Sequence, residues 1–186
     1  YKFYKDKMII EGAKPNPAHR KLAELEQAGK LTAVVTQNID GLHQAAGSKQ
    51  VVDLHGRLDA IVCLGCGARR ARADFQQALV AANPEWIELP AQMAPDGDAD
   101  LDEVDFSRFQ VPACRHCGGM LKPDVVFFGE SVPRERVAAV QAHLSAADGV
   151  LVVGSSLMVW SGFRFIKAAA QAGLPVAILN RGLTRA

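Results

Sequence analysis

The only four cysteines of the sequence form two C-x-x-C pairs, Cys63-Leu-Gly-Cys66 and Cys114-Arg-His-Cys117, each followed by glycine. Two matched pairs suit one tetrahedral Zn²⁺ better than redox work, for which a single dithiol would be enough. The glycine after each pair admits the tight turn that gathers the thiolates. Four sulfur ligands leave no open position for water or substrate, so the metal is expected to be structural. His116, lying between two ligands, reads as a solvated knuckle residue.

Three further groups are polar where a plain turn need not be. The stretch TQNID, with Gln37, Asn38, Ile39 and Asp40, follows an apolar run at 31–35. Gly154-Ser155-Ser156 ends another apolar run and could offer backbone N–H groups and hydroxyls to a phosphate or ribose. A tight strand-to-helix turn explains it equally well, since the chain has no G-x-G-x-x-G. Asn180-Arg181-Gly182 closes a third run. His55, in Leu54-His55-Gly56, carries a ring suited to proton transfer near neutral pH, although a lone histidine more often serves packing. A calcium loop over the acidic run from Asp96 is excluded, because Leu101 stands where glycine is needed and Ser107 where a bidentate glutamate is needed.

These residues call for a scaffold that brings strand ends together. Asn16 as N-cap, Pro17 at the first helical position and Gly29 past the end punctuate a helix. Strands are expected at 31–35, 51–54, 124–128, 150–153 and 176–179, with an extended segment at 57–63. Helices are expected at 40–46, 73–82, 134–147 and 162–172. The stretch 83–111 shows neither period and reads as a long loop. The run 122–130 by itself reads as a core strand and a glycine turn. Continuous Val/Ile/Leu runs alternating with helices indicate an α/β fold, a Rossmann-like parallel sheet with helices on both faces. Ligands of such sheets sit beyond the carboxyl ends of the strands, where the three polar groups fall.

With 186 residues, 49% apolar and a net charge of +1, the sequence gives no reason to expect nucleic acid or membrane as a partner. Nine of the 20 acidic residues lie between Ala73 and Ser107, a stretch without Lys or Arg, so the rest of the chain is basic overall. That suits an anionic ligand, and an acidic solvated loop on a mildly basic protein explains it as well. Apolar runs are too short to span a bilayer and no secretory leader is seen, so a cytoplasmic protein is expected, or one of the mitochondrial matrix in a eukaryote. A monomer is expected.

Taken in order, TQNIDGLHQAAGS, LHG, the two cysteine pairs, KPDVVFFGE, VVGSSLMVWSG and ILNRG resemble the sirtuin family over nearly the whole chain. The wide gap between the cysteine pairs resembles the class that includes lipoamidase and ADP-ribosyltransferase-type members. The resemblance implies an NAD-dependent protein-lysine deacylase that passes the acyl group to ADP-ribose and releases nicotinamide. Protein mono-ADP-ribosyl transfer and a non-catalytic zinc-stabilised module are the alternatives. It implies NAD and one structural Zn²⁺ as cofactors, and acylated lysine side chains of proteins as partners. It also implies a Rossmann-like NAD-binding domain over 1–58 and 119–186, with 1–14 as part of a small helical module. The inserted zinc-binding module would cover 59–118.

Carried over by position, Gln37, Asn38, Ile39 and Asp40 would line the nicotinamide and ribose pocket. Gly154, Ser155 and Ser156 would meet ribose and phosphates, and Asn180, Arg181 and Gly182 the adenosine side. His55 would be the general base, taking a proton from a ribose hydroxyl. An acylated peptide would add as a strand between Gly129-Glu130 and Val159, with Val126, Phe127 and Phe128 walling the acyl tunnel. Ser161 stands where many relatives have proline and Lys122 where many have arginine, and neither is expected to touch the chemistry. The family's glycine-rich phosphate loop is absent from this sequence, so little turnover is expected of the chain by itself.

Overall fold

The computed structural model describes residues 13–86, 92–93, 99–100 and 105–185. In chain order the elements are α1 (Pro17–Gln27), β1 (Val34–Thr36), α2 (Leu42–Ala45) and β2 (Val51–Asp53). Next come β3 (Gly56–Cys63), β4 (Arg69–Ala71), α3 (Arg72–Ala82), a 3₁₀ turn (Pro84–Trp86), β5 (Gln92–Met93), β6 (Ala99–Asp100) and β7 (Leu121–Val125). The chain then gives α4 (Arg134–Ser145), β8 (Val150–Val153), α5 (Trp160–Gln171) and β9 (Val176–Leu179). Two compact units result, one holding Arg57–Val125 and the other Pro15–Gly56 with Val126–Ala186. Among the described residues no helix is long and apolar enough to cross a membrane.

The second unit carries the α/β pattern. β1 pairs with β2 in parallel, Val34 opposite Val51, and β8 pairs with β9 in parallel, Val150 opposite Val176. Helix α1 starts where its caps dictate: Asn16 Oδ1 accepts from the His19 backbone N–H at 3.1 Å, and His19 Nδ1 accepts from the Asn16 N–H at 3.2 Å. Histidine thus fills the place that glutamate or glutamine holds in the usual reciprocal cap. Leu54, Val140 and Phe165 form a buried cluster that joins the end of β2 to α4 and α5. Glu26 accepts from the backbone N–H of Gln50 at 2.6 Å, which ties α1 to the segment entering β2.

The first unit is built around a sheet of order β4-β3-β7 and a buried cluster of Ile61, Phe75, Leu79, Trp86 and Leu121 together with Cys63 and Cys114. Trp86 stacks on Phe106 at 5.5 Å and meets Phe109 edge-on at 5.0 Å. The fully buried Asn83 donates to the carbonyls of Leu79 at 2.8 Å and Gln110 at 2.7 Å, and accepts from the Gln110 N–H at 2.7 Å. Every polar atom of that amide has a partner, so it staples the return of the long segment to α3 at no desolvation cost.

Several expected bounds move. The strand expected at 124–128 is Leu121–Val125, because the ladder follows β3. Past its end the Val126 N–H donates to the His55 carbonyl at 2.9 Å, and Phe127 to Glu130 close a turn. The stretch 83–111 is not all loop, since it contains the 3₁₀ turn and the antiparallel pair β5–β6. The acidic residues 94–98 and 101–104 lie outside the described residues.

Candidate functional site

The four cysteine sulfurs lie within 4.8 Å of one another. Cys63 Sγ is 3.5 Å from Cys117 Sγ, and Cys66 Sγ is 3.8 Å from Cys114 Sγ. A tetrahedron with Zn–S bonds of about 2.3 Å has edges of about 3.8 Å, close to both of these distances, so the four sulfurs suit Zn²⁺. Both knuckles are built alike. The Gly67 N–H donates to the Cys63 carbonyl at 3.0 Å and the Gly118 N–H to the Cys114 carbonyl at 2.8 Å. Each of these glycines has a left-handed φ, 71° and 70°, which a side chain would oppose.

The electrostatics of the four thiols also ask for a cation. The Cys66 backbone N–H, opposed by burial and helped by the Gly65 N–H, brings Cys63 down to about 6. At Cys117 the Gly119 N–H pulls downward, but Cys66, Cys63, burial and Cys114 together outweigh it and push the thiol up to about 12. Four adjacent thiols cannot all ionise alone, whereas a bound divalent cation favours the all-thiolate form. Cys63, Cys66, Cys114 and Cys117 would hold the metal as a closed, structural shell.

A separate cavity of about 340 Å³ opens in the other unit. Its polar lining includes Thr36 at the end of β1, Gln37 and Asn38 just beyond it, and Ser155 beyond β8 next to Gly154, so two of the three polar strand ends share one pocket. Its apolar walls include Val34, Leu151 and Phe165. Ser155 Oγ donates to Gln37 Oε1 at 3.4 Å and accepts from the Leu157 N–H at 3.2 Å. Leu157 has φ 58°, an unfavourable value for a leucine, and is held there by burial and by that bond. The remaining expected positions lie around this pocket rather than on its wall. Asp40 Oδ1 accepts from the Leu42 N–H at 2.9 Å and opens α2. The Ser156 carbonyl accepts from the Arg185 N–H at 2.9 Å. Asn180 Nδ2 donates to the Gly182 carbonyl at 3.2 Å, and Arg181 is exposed.

His55 is held at both ring nitrogens. Nδ1 is 3.1 Å from the Gln37 carbonyl oxygen and Nε2 is 2.7 Å from Ser161 Oγ. Burial keeps the imidazole below its ordinary value of 6.5. The Gln37 carbonyl opposes this and the positive charge of Arg136 adds to it. Neutral at neutral pH and fixed in orientation, the ring can accept a proton. Ser161, expected to stand apart from the chemistry, lies in direct contact with the ring of His55. No sequence signal pointed to it, because the contact spans 106 residues. Of the expected substrate positions, Val126 is backbone-bonded to His55, while Phe127, Phe128 and Val159 are exposed apolar side chains and Gly129 and Glu130 lie in the turn that follows.

The family model described as "Sir2 family" matches residues 1–161. The chain is 62% identical over 174 residues to the "NAD-dependent protein deacetylase 2" of Bradyrhizobium diazoefficiens, covering 94% of this chain and 64% of that protein. It is 64% identical over 174 residues to the "NAD-dependent protein deacetylase" of Xanthomonas campestris pv. campestris, covering 94% of this chain and 59% of that one. The solved structure "Sir2 bound to acetylated peptide" superposes with a TM-score of 0.71 at 31% identity, covering 95% of this chain and 63% of that chain. "Sir2-p53 peptide-NAD+" gives 0.70 at 32%, covering 95% and 62%. The chain therefore spans about three fifths of the length of these curated relatives.

Proposed function

The chain belongs to the Sir2 family, and from that premise we propose that its protein is an NAD-dependent protein-lysine deacylase acting on acetylated lysine side chains. The observation that carries this reading is His55, a half-buried imidazole held in one orientation by bonds at both ring nitrogens, beside the strand-end pocket. NAD would supply the ribose whose hydroxyl oxygen takes the acyl group, and nicotinamide is the measurable product. His55 Nε2 receives the proton of the ribose hydroxyl. The Gln37 and Asn38 amides recognise the carboxamide of nicotinamide, and Asp40 and the Ile39 backbone complete that side. Gly154, Ser155 and Ser156 meet ribose and phosphate, and Asn180, Arg181 and Gly182 the adenosine end.

The exposed Phe127, Phe128 and Val159, with Val126, Gly129 and Glu130, form the edge to which an acylated peptide adds through main-chain hydrogen bonds. Zn²⁺ on the four cysteines keeps its unit folded and takes no part in proton transfer. A cytoplasmic setting, where thiols stay reduced, suits that site. The test is to incubate full-length protein with NAD and an acetyl-lysine peptide. Nicotinamide release that requires the peptide, with loss of the acetyl mass, is the expected result. Release without the peptide, or transfer of ADP-ribose to protein with the acetyl group retained, would overturn it.

A further inference from the structure

The two bonds of His55 fix more than its orientation. A carbonyl oxygen only accepts, so His55 Nδ1 carries the proton that goes to Gln37 at 3.1 Å. Nε2 of the neutral ring is then an acceptor, and the Ser161 hydroxyl at 2.7 Å is its donor. Serine, ring and carbonyl form one directed chain, Ser161 O–H to Nε2 and Nδ1–H to the Gln37 carbonyl.

Ser161 is itself held in place. α5 opens at Trp160 after the extended Val159, which puts Ser161 in the first helical turn. Its carbonyl accepts from Arg164 Nε at 3.2 Å. The next residue, Gly162, lies against the side chain of Gln37, with an ideal Cβ only 2.9 Å from Nε2 of that amide. The start of α5 thus touches both His55, through a hydroxyl, and Gln37, whose carbonyl holds the other edge of the ring. Two neighbouring residues of one helix meet the His55 ring and the Gln37 side chain.

We infer that Ser161 is a positioning residue for His55: its hydroxyl keeps Nε2 unprotonated and occupies the place that the reacting ribose hydroxyl must take. This rests on the reading of His55 as the base. When the ribose hydroxyl replaces serine, one proton passes from the ribose oxygen to Nε2 as that oxygen bonds to the acyl carbon, and the C=N π pair of that carbon moves onto the substrate lysine nitrogen. Nδ1–H stays on the Gln37 carbonyl throughout. Serine therefore holds the ring ready in the absence of substrate and then yields. Proline at this position could start the helix but would supply no hydroxyl.

The test compares full-length protein with Ser161→Ala, Ser161→Thr and Ser161→Pro. Two readouts are taken: steady-state kinetics on the acetyl-lysine peptide, and the ¹⁵N resonances of the His55 ring. Because serine has left Nε2 before the proton moves, kcat should be little changed in the alanine variant. The ring of the free enzyme should move from a single Nδ1–H tautomer toward a mixture. Threonine, which keeps the hydroxyl, should restore the single tautomer, and proline should behave as alanine does. An unchanged tautomer in the alanine variant would overturn the inference, as would a kcat lowered roughly 2- to 13-fold, the loss expected of a bond kept in the transition state. So would a threonine variant whose ring is as mixed as that of alanine. If the parent protein releases no nicotinamide, the deacylase reading fails while the tautomer comparison still decides the role of Ser161.

Discussion

Replacing Gly162 with alanine separates folding from ligand binding at a single atom. An ideal Cβ there lies 2.9 Å from Gln37 Nε2, 3.0 Å from its Cδ and 3.1 Å from its Oε1. All three are inside the roughly 3.5–4.0 Å at which non-bonded carbons meet favourably. The obstacle is the tip of a flexible side chain, so the Gln37 amide swings aside and the helix stays. Alanine gains up to about 1 kcal/mol of helix propensity over glycine. Against this, an off-rotamer glutamine costs about 0.5–1.5 kcal/mol. The amide also gives up its 3.4 Å contact with Ser155 Oγ. The two sides cancel to within about 1 kcal/mol, which is a shift of roughly 2–4 °C in Tm for a chain of this size.

Binding should not cancel in the same way. If the amide reads nicotinamide, losing one such bond weakens NAD roughly 2- to 13-fold. Calorimetric titration of NAD into full-length Gly162→Ala protein, with a melt on the same sample, reads both quantities. Unchanged affinity would show that the Gln37 amide makes no bond to NAD. A fall in Tm well beyond 4 °C would show that backbone, not side chain, had to give way.

Chelating the metal, or substituting Cys66→Ser, should abolish the cooperative melt of the cysteine-bearing unit. Structural zinc contributes about 10–16 kcal/mol in small zinc domains, as much as the whole net stability of a typical domain. A circular-dichroism melt indifferent to chelator would contradict this. His43, with a buried partnerless Nδ1, is held below 6.5 first by burial and then by His19, whose ring lies 4.6 Å away, with Asp40 and Asp53 opposing. The unfolded chain therefore takes up that proton first as pH falls. The associated stability is fully present above 6.5 and is lost as pH drops through the folded value. His43→Leu should flatten the fall of the urea midpoint between about pH 7 and pH 5, and a variant profile parallel to the parent's would contradict that. His55 is shifted in the same direction, so the acid limb of kcat/KM should fall below pH 6.5, and a limb above that value would deny His55 the role of base.

Local chemistry made some features legible. The cysteine pairs carry their own glycine turns, and 150–153 and 176–179 are β8 and β9 as expected because each is a short, wholly apolar run bounded by turn residues. The cap of α1 was legible for the same reason. The strand before the glycine turn was displaced by three residues, since DVVFF looks the more apolar while pairing with β3 begins at Leu121. Hydrophobicity marks burial or binding surface alike, and Phe127 and Phe128 turn out exposed. The staple at Asn83 and the Ser161–His55 bond join positions 27 and 106 residues apart, a kind of contact that no spacing rule reaches. Gly162 lies within the helix expected at 162–172, and its role became visible only through the atoms of Gln37.

The most direct test follows acetyl-lysine peptide and NAD by mass spectrometry with full-length protein and its His55→Ala variant. The parent should convert the two in equal amounts to free-lysine peptide, nicotinamide and an acetylated ADP-ribose, and the variant should stall after NAD and peptide bind. Equal turnover by parent and variant would contradict the assignment of His55 as the base.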